Sequence, residues 1–203
     1  MRRHPGITRI GALLGLLVVA GCVDQLAGPE VQDPVVEAPD IPFFSQEAAP
    51  GLTLLTRFYD VPVGTSASEE IDDDGGRIEL PQAGLIVEFP EDAIEDDVTI
   101  TVTVIDSKGL AFEFAPHGQT FDEPVRLRFD LTDTELHALG GAEDRSHPGS
   151  GDGTRTPVSQ AVGVYFRGSA GDAIPLETLP VYLENGELVI EIHHFSGYAV
   201  ASG

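Results

Sequence analysis

The sequence predicts an all-β fold, a single β-sandwich or partly open barrel, placed after a cleaved leader and an unfolded tether. Three observations carry this expectation. From about Thr53 onward, apolar residues recur at every second position in short runs, the mark of strands with one buried face. β-branched residues dominate the best of these runs and suit a pleated surface. Between the runs lie Gly, Pro and Asn-Gly pieces that favour turns, and no stretch repeats its apolar residues with a convincing helical period.

The chain opens with "MRRHPGITRIGALLGLLVVAGC", in which Arg2, Arg3 and Arg9 precede an apolar run from Ile10 to Ala20. A run of about 7 to 15 residues is the size of a signal-peptide core, whereas a membrane span needs roughly 20. Its end, Val19-Ala20-Gly21-Cys22, resembles the lipobox of bacterial lipoproteins. That resemblance implies removal of residues 1–21, lipid on Cys22 and a membrane anchor in the cell envelope. With Val23 rather than an aspartate next to the modified cysteine, it implies the outer membrane where the cell is Gram-negative. Cys22 is the only cysteine, so the fold has no internal disulfide to rely on.

The formal charge is −23, and removing residues 1–21 takes away three arginines and no acid, leaving −26. So acidic a chain is repelled by nucleic acid and by anionic lipid surfaces, and neither is expected as a partner through a basic patch. Lipid on Cys22 is the expected route to a membrane.

Residues 22–60 read as the tether. The stretch from Val23 to Gly51 carries Pro29, Pro34, Pro39, Pro42 and Pro50 with six acids and no base. Proline removes backbone donors, spaced carboxylates repel, and so few apolar residues cannot offset the entropy of ordering the chain. Phe43 and Phe44 are the exception, with docking onto the domain as the alternative to a free linker.

Residues 61–203 read as the folded domain. "VTITVTVI" puts Val98, Ile100, Val102 and Val104 on one face and Thr99, Thr101 and Thr103 on the other. "VRLRFDL" repeats the pattern, with Val125, Leu127, Phe129 and Leu131 inward and Arg126, Arg128 and Asp130 outward. "VGVYFRG", "LPVYL" and "ELVIEI" follow, the last two joined through Asn185-Gly186, a pair that readily takes the positive φ angles of a tight hairpin.

"GGRIELPQAGLIVEFPEDAI", "FEFAPHGQTFDEPVRLRF" and the terminal "HHFSGYAV" resemble the ZU-five domain, the β-sandwich of zonula occludens proteins, ankyrins and Unc-five netrin receptors. The resemblance covers roughly Ile71 to Gly203 and speaks for fold more than for activity. In it Gly75 and Gly76 make a turn, Pro90 ends a strand, and Pro116, His117 and Gly118 make another turn. The stretch at about 137–160, rich in Gly and Ser, departs from the pattern and reads as a flexible insertion.

Most of the chemistry that the residues suggest falls away on spacing. "EEIDDDGG" gathers carboxylates, but a calcium-loop register starting at Glu70 ends at Pro81, which has none. His137, His147, His193 and His194 have no cysteine partners at zinc spacing, and there is no Gly-x-Ser-x-Gly elbow. No metal or cofactor is expected. One motif remains, "EIHHFSGYAV". His-Phe-Ser is similar to the cleavage motif of self-cutting relatives of this fold, which implies Ser196 as nucleophile and Phe195-Ser196 as the bond cut, while strand spacing permits His194 as the base. In a regular strand His194 and Ser196 share a face with Ile192, Tyr198 and Val200. The other reading is a closing strand in which Phe195 and Tyr198 pack and Ser196 bonds locally, leaving the chain intact. The expected function is that of a non-enzymatic, lipid-anchored interaction module with a protein or glycan partner. Self-cleavage at Phe195-Ser196 is the alternative.

Overall fold

The computed structural model describes residues 42–137 and 155–203, and over them the chain is all-β. The first strands are β1 (Thr53–Leu54), β2 (Ser66–Ile71), β3 (Gly76–Leu80), β4 (Leu85–Phe89), β5 (Val98–Val104), β6 (Ala111–Ala115) and β7 (Thr120–Asp130). The rest are β8 (Thr156–Pro157), β9 (Val162–Arg167), β10 (Ile174–Leu179), β11 (Tyr182–Glu184), β12 (Glu187–His194) and β13 (Gly197–Ser202). They form two antiparallel sheets. A seven-stranded sheet runs β10-β9-β13-β6-β5-β2, with β1 also pairing β13, and a six-stranded sheet runs β3-β4-β7-β12-β11-β8. The sandwich expected from the sequence is the fold observed, and it is not closed into a barrel.

Period-two alternation builds the core between the sheets. Ile100, Val102 and Val104 of β5 meet Val125, Leu127 and Phe129 of β7 and Leu188, Ile190 and Ile192 of β12 in one buried cluster. The Asn185-Gly186 turn has φ of 52° and 83°, the positive pair that a tight hairpin between β11 and β12 demands. Gly75 is likewise required, since its φ is +79° and a Cβ there would lie 2.4 Å from the Phe89 carbonyl oxygen.

The outer faces of the two sheets differ. On the six-stranded sheet Arg126 and Arg128 point outward as the alternation predicts, Arg126 pairing with Glu184, and Arg128 with Glu187 and, at 3.5 Å, Glu88. Arg155 extends the ladder to Glu184 at 3.3 Å and Glu191 at 2.8 Å, its guanidinium 3.6 Å from the ring centroid of Tyr182. This is a charged face of closely paired side chains, with Glu184 buried among the arginines.

The seven-stranded sheet instead turns small and apolar residues outward, among them Ala111, Val164, Phe166, Ala199 and Ala201. Phe43 and Phe44 cover them. Both are buried, and Phe43 meets Phe166 edge-to-face with ring centroids 5.1 Å apart. The backbone is fixed too: Ser45 N–H donates to the Ala173 carbonyl at 2.9 Å and Gly171 N–H to that of Phe43 at 3.0 Å. Residues 43–60, expected to belong to the tether, are therefore part of the folded sandwich. The physical reason is that "YAVAS" is apolar at consecutive positions, so both faces of β13 need cover.

The insertion expected over 137–160 also contracts at its far end. Thr156 and Pro157 pair with Leu183 and Tyr182, and Ala161 is buried in the main core.

Candidate functional site

The residues of "EIHHFSGYAV" do not form one strand. β12 belongs to the six-stranded sheet and β13 to the seven-stranded one, so the chain crosses between sheets at Phe195 and Ser196. Core residues run 188, 190, 192, then 195, then 198 and 200. The steps of three mark the crossing. This corrects the regular-strand geometry, in which His194 and Ser196 share the inward face: both are only half-buried, and Phe195 between them is the core residue.

Phe195 holds the joint by packing. Its ring stacks on Phe114 at 5.0 Å and meets Phe121 and Phe89 edge-to-face at 4.6 and 6.0 Å. Phe114 lies in β6 and Phe121 in β7, so one side chain ties both sheets at the point where the chain leaves one for the other. The backbone there is equally occupied. Phe195 N–H donates to Gln119 O at 2.8 Å, its carbonyl accepts from Gly118 N–H at 3.2 Å, and the Ser196 carbonyl accepts from Phe114 N–H at 3.0 Å.

His194 is committed elsewhere than to Ser196. The Tyr198 hydroxyl donates its one proton to the His194 carbonyl at 2.8 Å, and the same oxygen lies 2.9 Å from His194 Nδ1. The ring nitrogen must then be the N–H donor in that contact, which fixes the tautomer through the network. Nε2 faces Glu177 Oε2 of β10 at 3.7 Å, and the ring packs on Tyr165 of β9 with centroids 4.5 Å apart. Neither nitrogen is hydrogen-bonded to the Ser196 hydroxyl, and among the described non-glycine residues positive φ occurs at Asp92 and Asn185, not at the joint. Burial keeps the Tyr198 phenol neutral, pushing its ionisation well above the usual tyrosine range, with Glu177 and Tyr165 adding to the effect.

Cys22 and His147 lie outside the described residues. Among those residues, no helix is long and apolar enough to cross a membrane, and no group of three or more His, Cys, Asp or Glu could hold a metal ion. Carboxylates do gather in a cleft of about 330 Å³ lined by Asp73, Asp92, Glu95, Asp122 and Glu123, with Ile94 at its apolar wall. One of the acids of "EEIDDDGG", Asp73, reaches it.

A second feature was hidden inside the expected tether. Between β1 and β2 the loop at 57–64 begins on Arg57, which is buried although charged. Burial lowers its pKa, opposed by the nearby Tyr59 and Asp106; its Nε donates to the Ala83 carbonyl at 3.2 Å, and its guanidinium lies 5.5 Å from the Phe112 ring centroid. Arg57 is the only basic residue between Cys22 and Asp60, a break in the acidic composition that could have marked this stretch as something other than free linker. Immediately after it Phe58, Tyr59 and Val63 face solvent.

Compared with models of protein families and with curated proteins, the chain matches none.

Proposed function

We propose that this chain is a non-enzymatic lipoprotein of the cell envelope, held on a membrane by lipid on Cys22. It presents a sandwich of the ZU-five type that its sequence resembles, as an interaction module for a protein or glycan partner. The observation that carries the reading is the joint at His194 to Gly197. Its residues are taken up by structure: Phe195 by the core, and both ring nitrogens of His194 by contacts with Tyr198 and Glu177. A peptide held by ordinary backbone hydrogen bonds, without a base on its serine, is a poor acceptor for acyl shift. The anchor is supported by the lipobox-like Val19-Ala20-Gly21-Cys22 and by the acidic, proline-rich segment between it and Pro39.

Two measurements test the reading. Expressed in a bacterium, wild-type protein fractionates with membranes and needs detergent for release, whereas Cys22→Ala yields an unprocessed or soluble chain. Denaturing mass spectrometry of purified mature protein gives one species uncut between Phe195 and Ser196, unchanged in Ser196→Ala apart from the lost oxygen. Wild-type protein recovered without detergent in the soluble fraction overturns the anchor. Loss of the Ser196–Gly203 peptide, abolished by Ser196→Ala, overturns the non-enzymatic assignment.

A further inference from the structure

Large apolar side chains are exposed at two places among the described residues. One is β10, where Ile174 and Leu176 stand at a sheet edge, but a bulge between Pro175 and Glu177 distorts that edge and works against pairing by another strand. The other is the loop at 57–64, where Phe58 is 69% exposed, Val63 63% and Tyr59 37%.

This loop is not loose. Arg57 N–H donates to Lys108 O, Phe58 N–H to Asp133 O and Val61 N–H to Ser107 O, each at 2.8 Å, and Gly64 N–H donates to Val104 O at 2.9 Å. Val61 is buried in the core between the exposed residues, and the Thr65 hydroxyl closes the turn on Pro62 O at 2.7 Å. Two aromatic side chains are thus held out on a backbone fixed at nearly every second residue. Such pre-organised aromatics contribute strongly to protein interfaces because little freedom is lost when they are covered. Exposed carboxylates flank them on the same and an adjoining segment, Asp60 on the loop and Asp133 and Glu135 on its neighbour, Glu135 also accepting from Thr56 N–H at 3.3 Å. On the other neighbour the half-exposed Asp106 is taken up by the Lys108 and Gly109 N–H groups, and Lys108 is the one exposed cation among these segments.

We propose that the loop at 57–64 is the docking surface of this module, and that its partner is a cationic protein segment bearing lysine or arginine beside apolar residues. Phe58, Tyr59 and Val63 cover the apolar side chains and the aliphatic stems of the basic ones. The ring faces and the surrounding carboxylates receive the ammonium or guanidinium groups. Charge selects this occupant over the others. An anionic bilayer is repelled by the carboxylates and by a chain of net charge −23, and a second copy would set one acidic rim against another. The inference deepens the interaction-module reading and rests on it, while its test in solution is independent of the anchor.

The test uses the full chain carrying Cys22→Ala and a short fluorescent peptide alternating Lys and Leu, with a Glu-Leu peptide as control. The Lys-Leu peptide binds and the Glu-Leu peptide does not, and raised salt weakens the binding. Phe58→Ser with Tyr59→Ser weakens it about tenfold or more, and Asp60→Asn with Asp133→Asn about threefold. Asp73→Asn with Glu123→Gln, in the acidic cleft on other segments, leaves it within about twofold. All three double variants keep the wild-type urea midpoint, so changes in binding are not unfolding. Equal loss in the cleft variant, or no loss in the Phe58/Tyr59 variant, overturns the proposal in favour of diffuse charge attraction. So does failure of the Lys-Leu peptide to bind. Binding to phosphatidylcholine vesicles that the Phe58/Tyr59 variant loses replaces the cationic segment with a bilayer, and a dimer in light scattering that the same variant abolishes replaces it with a second copy.

Discussion

One phenol holds both the backbone and the ring of the residue that ends β12: Tyr198 donates to the His194 carbonyl at 2.8 Å and its oxygen meets His194 Nδ1 at 2.9 Å. Because β12 and β13 lie in different sheets, this clasp spans the crossing that a serine nucleophile would have had to exploit. It engages the ring of His194, two residues before Ser196, with Tyr198.

Tyr198→Phe keeps the ring against Phe114 and removes only the clasp. It leaves the His194 carbonyl without this donor, and we expect a loss of about 1–3 kcal/mol in urea unfolding. Alkaline pH gives a second signature. An unfolded tyrosine ionises near pH 10, whereas burial holds the folded Tyr198 protonated well above that. Above about pH 10 the unfolded chain therefore binds fewer protons than the folded one, and stability falls with a slope of up to about 1.4 kcal/mol per pH unit. Tyr198→Phe removes this part of the slope; an unchanged alkaline profile in the variant would show that Tyr198 ionises freely in the fold.

Phe44→Ala uncovers the outer face of the seven-stranded sheet. The side chain is fully buried against Phe166 and Phe43, and truncating such a ring costs about 3–5 kcal/mol. Deletion of residues 23–52 exposes Ala111, Val164, Phe166, Ala199 and Ala201 together, so the truncated protein binds a hydrophobic dye or aggregates where wild-type does not. Deletion of residues 23–38, whose acidic, proline-containing composition reads as unfolded tether, leaves the unfolding midpoint unchanged.

Gly197→Ala tests a close approach. A Cβ at this position would lie 2.7 and 2.8 Å from two atoms of the Phe166 ring, which is itself packed against Phe43. The ring has to shift, costing about 1–3 kcal/mol, and the shift loosens the Phe43–Phe44 segment lying on it. Limited proteolysis then cuts between residues 43 and 52 faster than in wild-type protein; an unaltered cutting rate would mean that the ring moves without disturbing the segment.

Gly186→Ala places an L side chain at φ of 83° in the hairpin between β11 and β12. About 1–2 kcal/mol of stability is lost, seen as a lower urea midpoint with an unchanged slope. Asn185→Gly, at φ of 52°, changes stability by much less because glycine accepts the same turn.

Strand-by-strand alternation was legible in the sequence because it is a local property. Val98 to Val104 and Val125 to Leu131 declare their buried faces through side-chain character alone, and Asn185-Gly186 declares its turn through two φ preferences. The apolar run from Ile10 to Ala20 and the acidic, proline-rich segment are also compositional, and the expectations drawn from them need no fold to be stated. What tertiary structure decided was which segments meet. Phe43 and Phe44 look like linker residues until the outward alanines of β13 supply a face to cover, more than a hundred residues away in the chain. His194, Phe195 and Ser196 look like one strand until the chain changes sheets between them, which moves Phe195 into the core and turns the histidine ring to Tyr198 and Glu177. Both outcomes depend on contacts between distant segments, and the period of a single strand carries no information about those.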